Sequence, residues 1–318
     1  MLARLLGMIR SREGRDTILT YAAEGLSLVG VLLAYRFAKE AGKDEFDLYV
    51  IVRRTISFIS PLILVGAVVG LTRFVAMEKE RSAQVRYLRG ALSWVLPIMG
   101  LLLIVGFCLP DTISWPVFGS SAYAALVPPL ALMVAGISLH SIAYAFLRGQ
   151  HRMVLANGLQ VLALAIVPCV AFLVFHGLRE ALWAMGVAWM VASTALILYA
   201  LIGTAREKAV RERWALLRYG LPRLPGDMAL GGLLALPVYV VALSDGLSES
   251  GALGFGATLL NLAATVFSPL ALLLLPRSSA QLAAGDHSGL SERIRWSSLL
   301  TLGTALGITV LFELLADP

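Results

Sequence analysis

Of the charged side chains inside the long apolar runs, six are the groups whose type and spacing could do chemistry: Glu24, Arg53, Arg54, Arg73, Arg223 and Asp227. A charge so placed is costly unless it faces protein or water. The guanidinium of Arg53 or Arg54 presents planar donors that match phosphate oxygens in bidentate fashion, as a diphosphate would require. Consecutive helical residues point about 100° apart, so at most one of the two aims straight into a cavity. Snorkelling to the headgroups is the plainer alternative for either, and Arg36, close to its helix end, is a snorkeller.

Arg223 and Asp227 are four residues apart and share a helix face behind Pro222 and Pro225. Those prolines remove backbone donors and bend the start of the helix, as broken helices in alternating-access transporters do. A local salt bridge is the alternative for this pair. Glu24 lies seven residues into its run, roughly 10 Å deep at 1.5 Å per residue. There a carboxylate must be paired, hydrated or protonated, which suits proton coupling or gating in a water-filled cavity. The competing reading is an interhelical salt bridge, or a neutral acid, against Arg73. Arg53, Arg54, Arg73 and Arg223 are therefore the candidate substrate-binding residues, and Glu24 and Asp227 the candidate coupling or gating residues.

Other polar groups carry weaker signals. Ser138, His140, Ser141 and Tyr144 form a stripe best read as interhelical hydrogen bonding. Gly66-x-x-x-Gly70 and Gly303-x-x-x-Gly307 permit close helix packing, and Pro61, Pro97, Pro168, Pro237 and Pro269 kink their helices. Cys108 and Cys169, each inside an apolar run, read as free thiols. No Walker loop, zinc-protease HExxH or catalytic triad appears, so an enzyme, a cofactor and a metal site are not expected.

The elements that must position these groups follow from composition. The chain is 58% hydrophobic and 14% charged, too apolar for a soluble globule. The apolar runs are continuous rather than alternating, which predicts an all-α polytopic membrane protein with about nine transmembrane helices. They fall at about 17–38, 50–76, 90–108, 124–147, 155–175, 182–203, 219–243, 252–276 and 297–315. The net charge of +6 is no nucleic-acid footprint, because 18 basic residues fall in alternate loops on one side and only Lys39, Lys43 and Arg179 on the other. That bias puts the N-terminus in the cytoplasm and the C-terminus outside. Residues 1–16 read as an amphipathic helix on the inner membrane surface rather than a cleavable leader.

A repeat organises these spans. Ser60-Pro61-Leu62 recurs as Ser268-Pro269-Leu270, an offset of 208 residues, and the same offset carries the first three spans onto the last three. The expected organisation is a first lobe of six helices at 17–203, a basic interfacial linker at 204–218 and a partial second lobe at 219–318. Loops are too short to hold a soluble catalytic domain.

Three segments carry a resemblance: RYGLPRLPGD opening the seventh span, GLTRFVA closing the second and FSPLALLLLPR in the eighth. Together they resemble the Wzx-type O-antigen flippases of the multidrug/oligosaccharidyl-lipid/polysaccharide exporter superfamily. The resemblance implies a two-lobe bundle, here with its second lobe incomplete, in a bacterial cytoplasmic membrane. It further implies a polyprenyl-diphosphate-linked oligosaccharide as cargo, moved by alternating access with H+ or Na+ as coupling ion. A cation or drug antiporter of the related multidrug branch is the main alternative. Five arginines against two acids within the spans (Arg36, Arg53, Arg54, Arg73 and Arg223 against Glu24 and Asp227) favour an anionic cargo. A membrane-embedded polysaccharide polymerase or ligase ranks below both, because the outer loops are short, and an inactive fragment or a membrane scaffold is the remaining alternative.

Overall fold

In the computed structural model, residues 12–204, 208–244, 246–265 and 287–316 are described. The regular structure among them is helix, with no strand. The helices are α1 (Arg12–Ala41), α2 (Lys43–Leu64), α3 (Ala67–Met77), α4 (Arg81–Cys108), α5 (Pro110–Phe118) and α6 (Val127–Gly149). They continue as α7 (Met153–Val174), α8 (Leu178–Leu201), α9 (Val210–Gly220), α10 (Leu224–Ser244), α11 (Leu247–Thr265) and α12 (His287–Ala316). Six are long and apolar enough to cross a membrane, with α9 and α10 counted as one through the turn at Leu221–Arg223. The bent pair α2 and α3 makes a seventh. The chain is thus a multi-pass all-α membrane protein. Seven of the nine expected spans correspond to these; the eighth lies partly outside the described residues, and the ninth falls within α12, which is not among the helices apolar enough to cross, so the count of nine is not confirmed.

Two compact units divide the chain, one ending at Phe255 and the other starting at Gly256. In the first, α6 is the central helix: 78% of its most apolar window is buried, against 22–39% for the other long helices. It packs against α8, α3, α4, α2 and α7, and its length explains why. Leu130, Met133, Val134, Leu139, Ile142, Ala145 and Phe146 supply apolar side chains around most of its circumference. Exposed leucines and valines on α4, α7, α8 and α10 form the outer surface, as a lipid-facing bundle demands.

The described residues of the expected linker, 204 and 208–218, are tied to neighbouring helices. Within them, α9 buries Leu216 and packs on α3 and α4. Arg86 Nε meets Glu212 Oε1 at 2.9 Å, Arg81 Nη2 donates to Ile202 O at 3.3 Å, and Arg89 Nη2 donates to Thr204 Oγ1 at 2.8 Å. These bonds gather the start of α4, the end of α8 and α9 into one basic end. The expected surface helix at 1–16 falls outside the described residues as far as residue 11, and α1 already runs from Arg12. Ser268, Pro269 and Leu270, the second copy of the expected repeat, lie outside the described residues.

Near two of the prolines, Pro61 and Pro168, the helix geometry changes. Pro61 stays within α2 and the span breaks four residues later, bending by 51°. Val65 N donates to Pro61 O at 2.9 Å, and Val65 and Gly66 take left-handed φ values of 46° and 69°. A left-handed valine is costly and needs its surroundings to hold it. In α7 the turn Leu162–Ile166 widens to π geometry just before Pro168, which makes room for a ring that would otherwise strike the preceding turn. Trp189 caps this bulge, its Nε1 donating to Ala163 O at 2.8 Å.

Candidate functional site

The break in the second span is closed by a contact between backbones. Gly66 faces Gly220, the last residue of α9: a Cβ on Gly66 would lie 2.6 Å from Gly220 Cα, and one on Gly220 would collide with Val65 O. One turn further on, a Cβ on Gly70 would come within 2.8 Å of Leu216 Cδ2. The Gly66–Gly70 pair is therefore a real close-packing face against Leu216 and Gly220. At Gly303 and Gly307 an added Cβ would meet nothing.

Beside this break stands an aromatic and cationic cluster. Arg73 of α3 lies over the Tyr219 ring at 5.2 Å and over Phe74 at 5.8 Å. Arg223, in the turn between α9 and α10, lies over Tyr219 at 5.7 Å. Phe74 in turn stacks on Tyr87 at 5.4 Å and meets Tyr219 edge-on at 5.7 Å. Both guanidiniums are exposed, and among the described residues neither has a carboxylate within ion-pair distance. Asp227 is half-buried and forms no ion pair with Arg223, so the local salt bridge is absent. Two exposed guanidiniums on one aromatic platform have the planar donors that an anion with several oxygens can accept from.

Arg53 and Arg54 separate, as their 100° offset requires. Arg54 is 4% exposed and turns to α11, where Nε and Nη2 both donate to Gly254 O at 3.3 and 3.2 Å. Beside it Tyr239 Oη donates to Thr55 Oγ1 at 2.9 Å, tying α10 to α2. Arg53 turns instead to Tyr35 of α1, donating a hydrogen bond to it. Tyr35 heads a cluster of edge-to-face rings with Phe46, Tyr49 and Phe255. Neither arginine snorkels. Arg36 does reach out, pairing with Glu40 at 3.0 Å on the surface. Near the start of α2, Asp47 is pressed against Gly251, where any Cβ would strike its carboxylate, and its Oδ2 has no protein partner.

Glu24 belongs to a second polar group inside the first unit. It is half-buried, and the cation acting on it is Arg148 of α6. This corrects the expectation of Arg73, which stands on Tyr219: α1 packs along α7 and α2, which decides Glu24's neighbours. Arg148 Nη1 donates to Tyr144 Oη at 3.1 Å, and His140 stacks on Tyr144 with centroids 5.9 Å apart. His140 Nε2 meets Gln160 Oε1 of α7 at 3.1 Å, while its Nδ1, buried, has no protein partner. Ser138 and Ser141 only bond their own helix, to Val134 O and Ile137 O, so the interhelical role falls to His140. Asn157 adds a bond from α7 to Thr20 of α1 at 3.2 Å.

Tyr219 is the residue that reading by charge missed. It sits four before Arg223, the spacing at which helical side chains meet, so half of its role was visible in the segment RYGLPRLPGD. Nothing in the sequence pointed to Gln160 or Tyr35. Cys108 and Cys169 are free thiols. Among the described residues no three His, Cys, Asp or Glu side chains converge in a way that could hold a metal ion.

No family model matches the chain, and no curated protein or solved structure matches it either.

Proposed function

We propose that the chain is a flippase that carries a polyprenyl-diphosphate-linked oligosaccharide across a bacterial cytoplasmic membrane for surface polysaccharide synthesis. The observation that carries this reading is the pair Arg73 and Arg223 on one tyrosine ring, unpaired with any described carboxylate and set on a broken span. A diphosphate head needs several guanidinium donors at once, and this is where they converge. The basic end faces the cytoplasm, with the N-terminus on that side. Arg73 and Arg223 then meet the cargo head as it is loaded.

The hinge at Val65–Gly66 supports alternating access, because a span broken at left-handed residues and seated on a glycine can change its bend without unpacking long side chains. Arg54 and Tyr239 fasten α2 to α11 and α10, so these helices move with it. Glu24, facing Arg148 and Tyr144, is the coupling site: gain and loss of a proton there, or binding of Na+, would alter how α1 sits against α7 and α2. Asp227, one turn into α10, serves the gate at the start of that helix.

The test is complementation. Residues 1–318 are expressed in a strain lacking its own O-antigen flippase, beside an Arg73→Ala/Arg223→Ala form made to equal level. Restored surface polysaccharide with the first and not the second supports the reading. Equal restoration by both sinks the site, and drug resistance without polysaccharide export favours the antiporter.

A further inference from the structure

At the basic end of the bundle, helices α6, α7 and α8 line a small open crevice of about 30 Å3 that the transport reading does not use. Its walls are mainly apolar, including Leu147, Leu155 and Ala200, and its rim carries Arg81 and Arg152. Leu155 and Tyr199 at its edge are 48% and 59% exposed. On a membrane-spanning chain the crevice therefore opens sideways to lipid. Arg81 is anchored by its bond to Ile202 O at 3.3 Å, which leaves other guanidinium donors free to act. Arg152 is exposed, has no carboxylate partner among the described residues, and immediately precedes α7, whose first turn no side chain caps. Two guanidiniums and a set of uncapped amides thus add their positive potential over an apolar slot.

The geometry points to a binding site for an anionic phospholipid of the leaflet at the basic end. Its phosphate sits between Arg81 and Arg152, and one acyl chain lies along the mouth of the crevice over Leu147, Leu155 and Ala200. Charge selects the headgroup: a choline or ethanolamine cation would meet like charge at the rim, whereas a net anion meets none. The slot selects a lipid over a free phosphate, since apolar walls reward a chain removed from water. Tyr199 at the edge suits the headgroup boundary, where amphipathic rings gather. The bound lipid would brace α8 against α7 whatever cargo the chain moves.

The test uses the full chain purified in detergent and examined by native mass spectrometry with phosphatidylglycerol or phosphatidylcholine of equal chain length. Phosphatidylglycerol is expected to be retained preferentially, and Arg81→Ala/Arg152→Ala to weaken it by roughly thirtyfold, down to the level of phosphatidylcholine. Arg81→Lys/Arg152→Lys keeps the preference and covers the case in which the alanine form does not fold. Ala200→Trp, which fills the slot and spares the charges, should reduce retention of both lipids. Equal retention of the two lipids by the unaltered chain overturns the proposal. So does undiminished phosphatidylglycerol in the alanine form, or full displacement of the lipid by inorganic phosphate at equal concentration.

Discussion

Arg73 and Arg223 stand over one ring, that of Tyr219, at 5.2 and 5.7 Å. Two like charges gather there because the ring's electron-rich faces favour each of them. The ring belongs to α9, next to the glycine on which the broken span is seated. Charge capture and hinge are therefore built from neighbouring residues, and several variants separate them.

Removing the platform should disperse the charges. Tyr219→Leu is expected to cost about 1–2 kcal/mol of stability for the two cation–π contacts together and to lower export. Tyr219→Phe, which keeps the ring, should leave both near their starting values. Thermal unfolding of the purified chain and surface polysaccharide in the complemented strain measure the two effects.

Blocking the hinge should act differently. Gly220→Ala places a Cβ against Val65 O and is expected to destabilise by about 2–3 kcal/mol, as overpacking does. Gly303→Ala, where a Cβ meets open space, should stay within about 0.5 kcal/mol or gain slightly from better helix propensity. If both glycines tolerate alanine equally, the tight seat of α3 on α9 is wrong.

The arginines within the spans should divide into structural and accessible residues. Arg54→Ala removes two hydrogen bonds from a buried cation to Gly254 O and is expected to cost about 2–3 kcal/mol in folding. Arg73→Ala and Arg223→Ala should leave folded yield intact. Size-exclusion profiles of the three proteins, expressed in parallel, compare them directly.

Glu24→Gln keeps the shape of the side chain and removes its charge. With Glu24 as the coupling residue, export by this variant should no longer respond to collapse of the proton or sodium gradient, while the unaltered chain slows. An unchanged response would move the coupling site elsewhere.

Much of the fold was legible because bilayer thickness dictates it: a run of about 20 apolar residues has few other fates. The site was legible in part. Arg223 and Tyr219 are four apart, so their contact is local, and Pro61 announced trouble in the second span. The break itself came at Val65–Gly66, because its position depends on Gly220, far along the chain. Glu24 was matched to the wrong arginine for the same reason: which cation faces it depends on α1 packing along α7 and α2, and sequence distance carries no trace of that. The separation of Arg53 from Arg54 followed from helix geometry alone, whereas their partners, Tyr35 and Gly254, belong to tertiary packing.

The central claim is that this chain moves a diphosphate-linked lipid and holds its head at Arg73 and Arg223. The most direct measurement reconstitutes residues 1–318 into liposomes containing a short-chain polyprenyl-diphosphate oligosaccharide and follows, with an impermeant sugar-cleaving enzyme, how fast inner-leaflet lipid becomes accessible. The account predicts rapid exposure with the unaltered chain and a rate lower by about tenfold or more with Arg73→Ala/Arg223→Ala, since charge-assisted hydrogen bonds of this kind are each worth about 1.5–3 kcal/mol. Exposure no faster than in protein-free liposomes, or the same rate in both proteins, would contradict it.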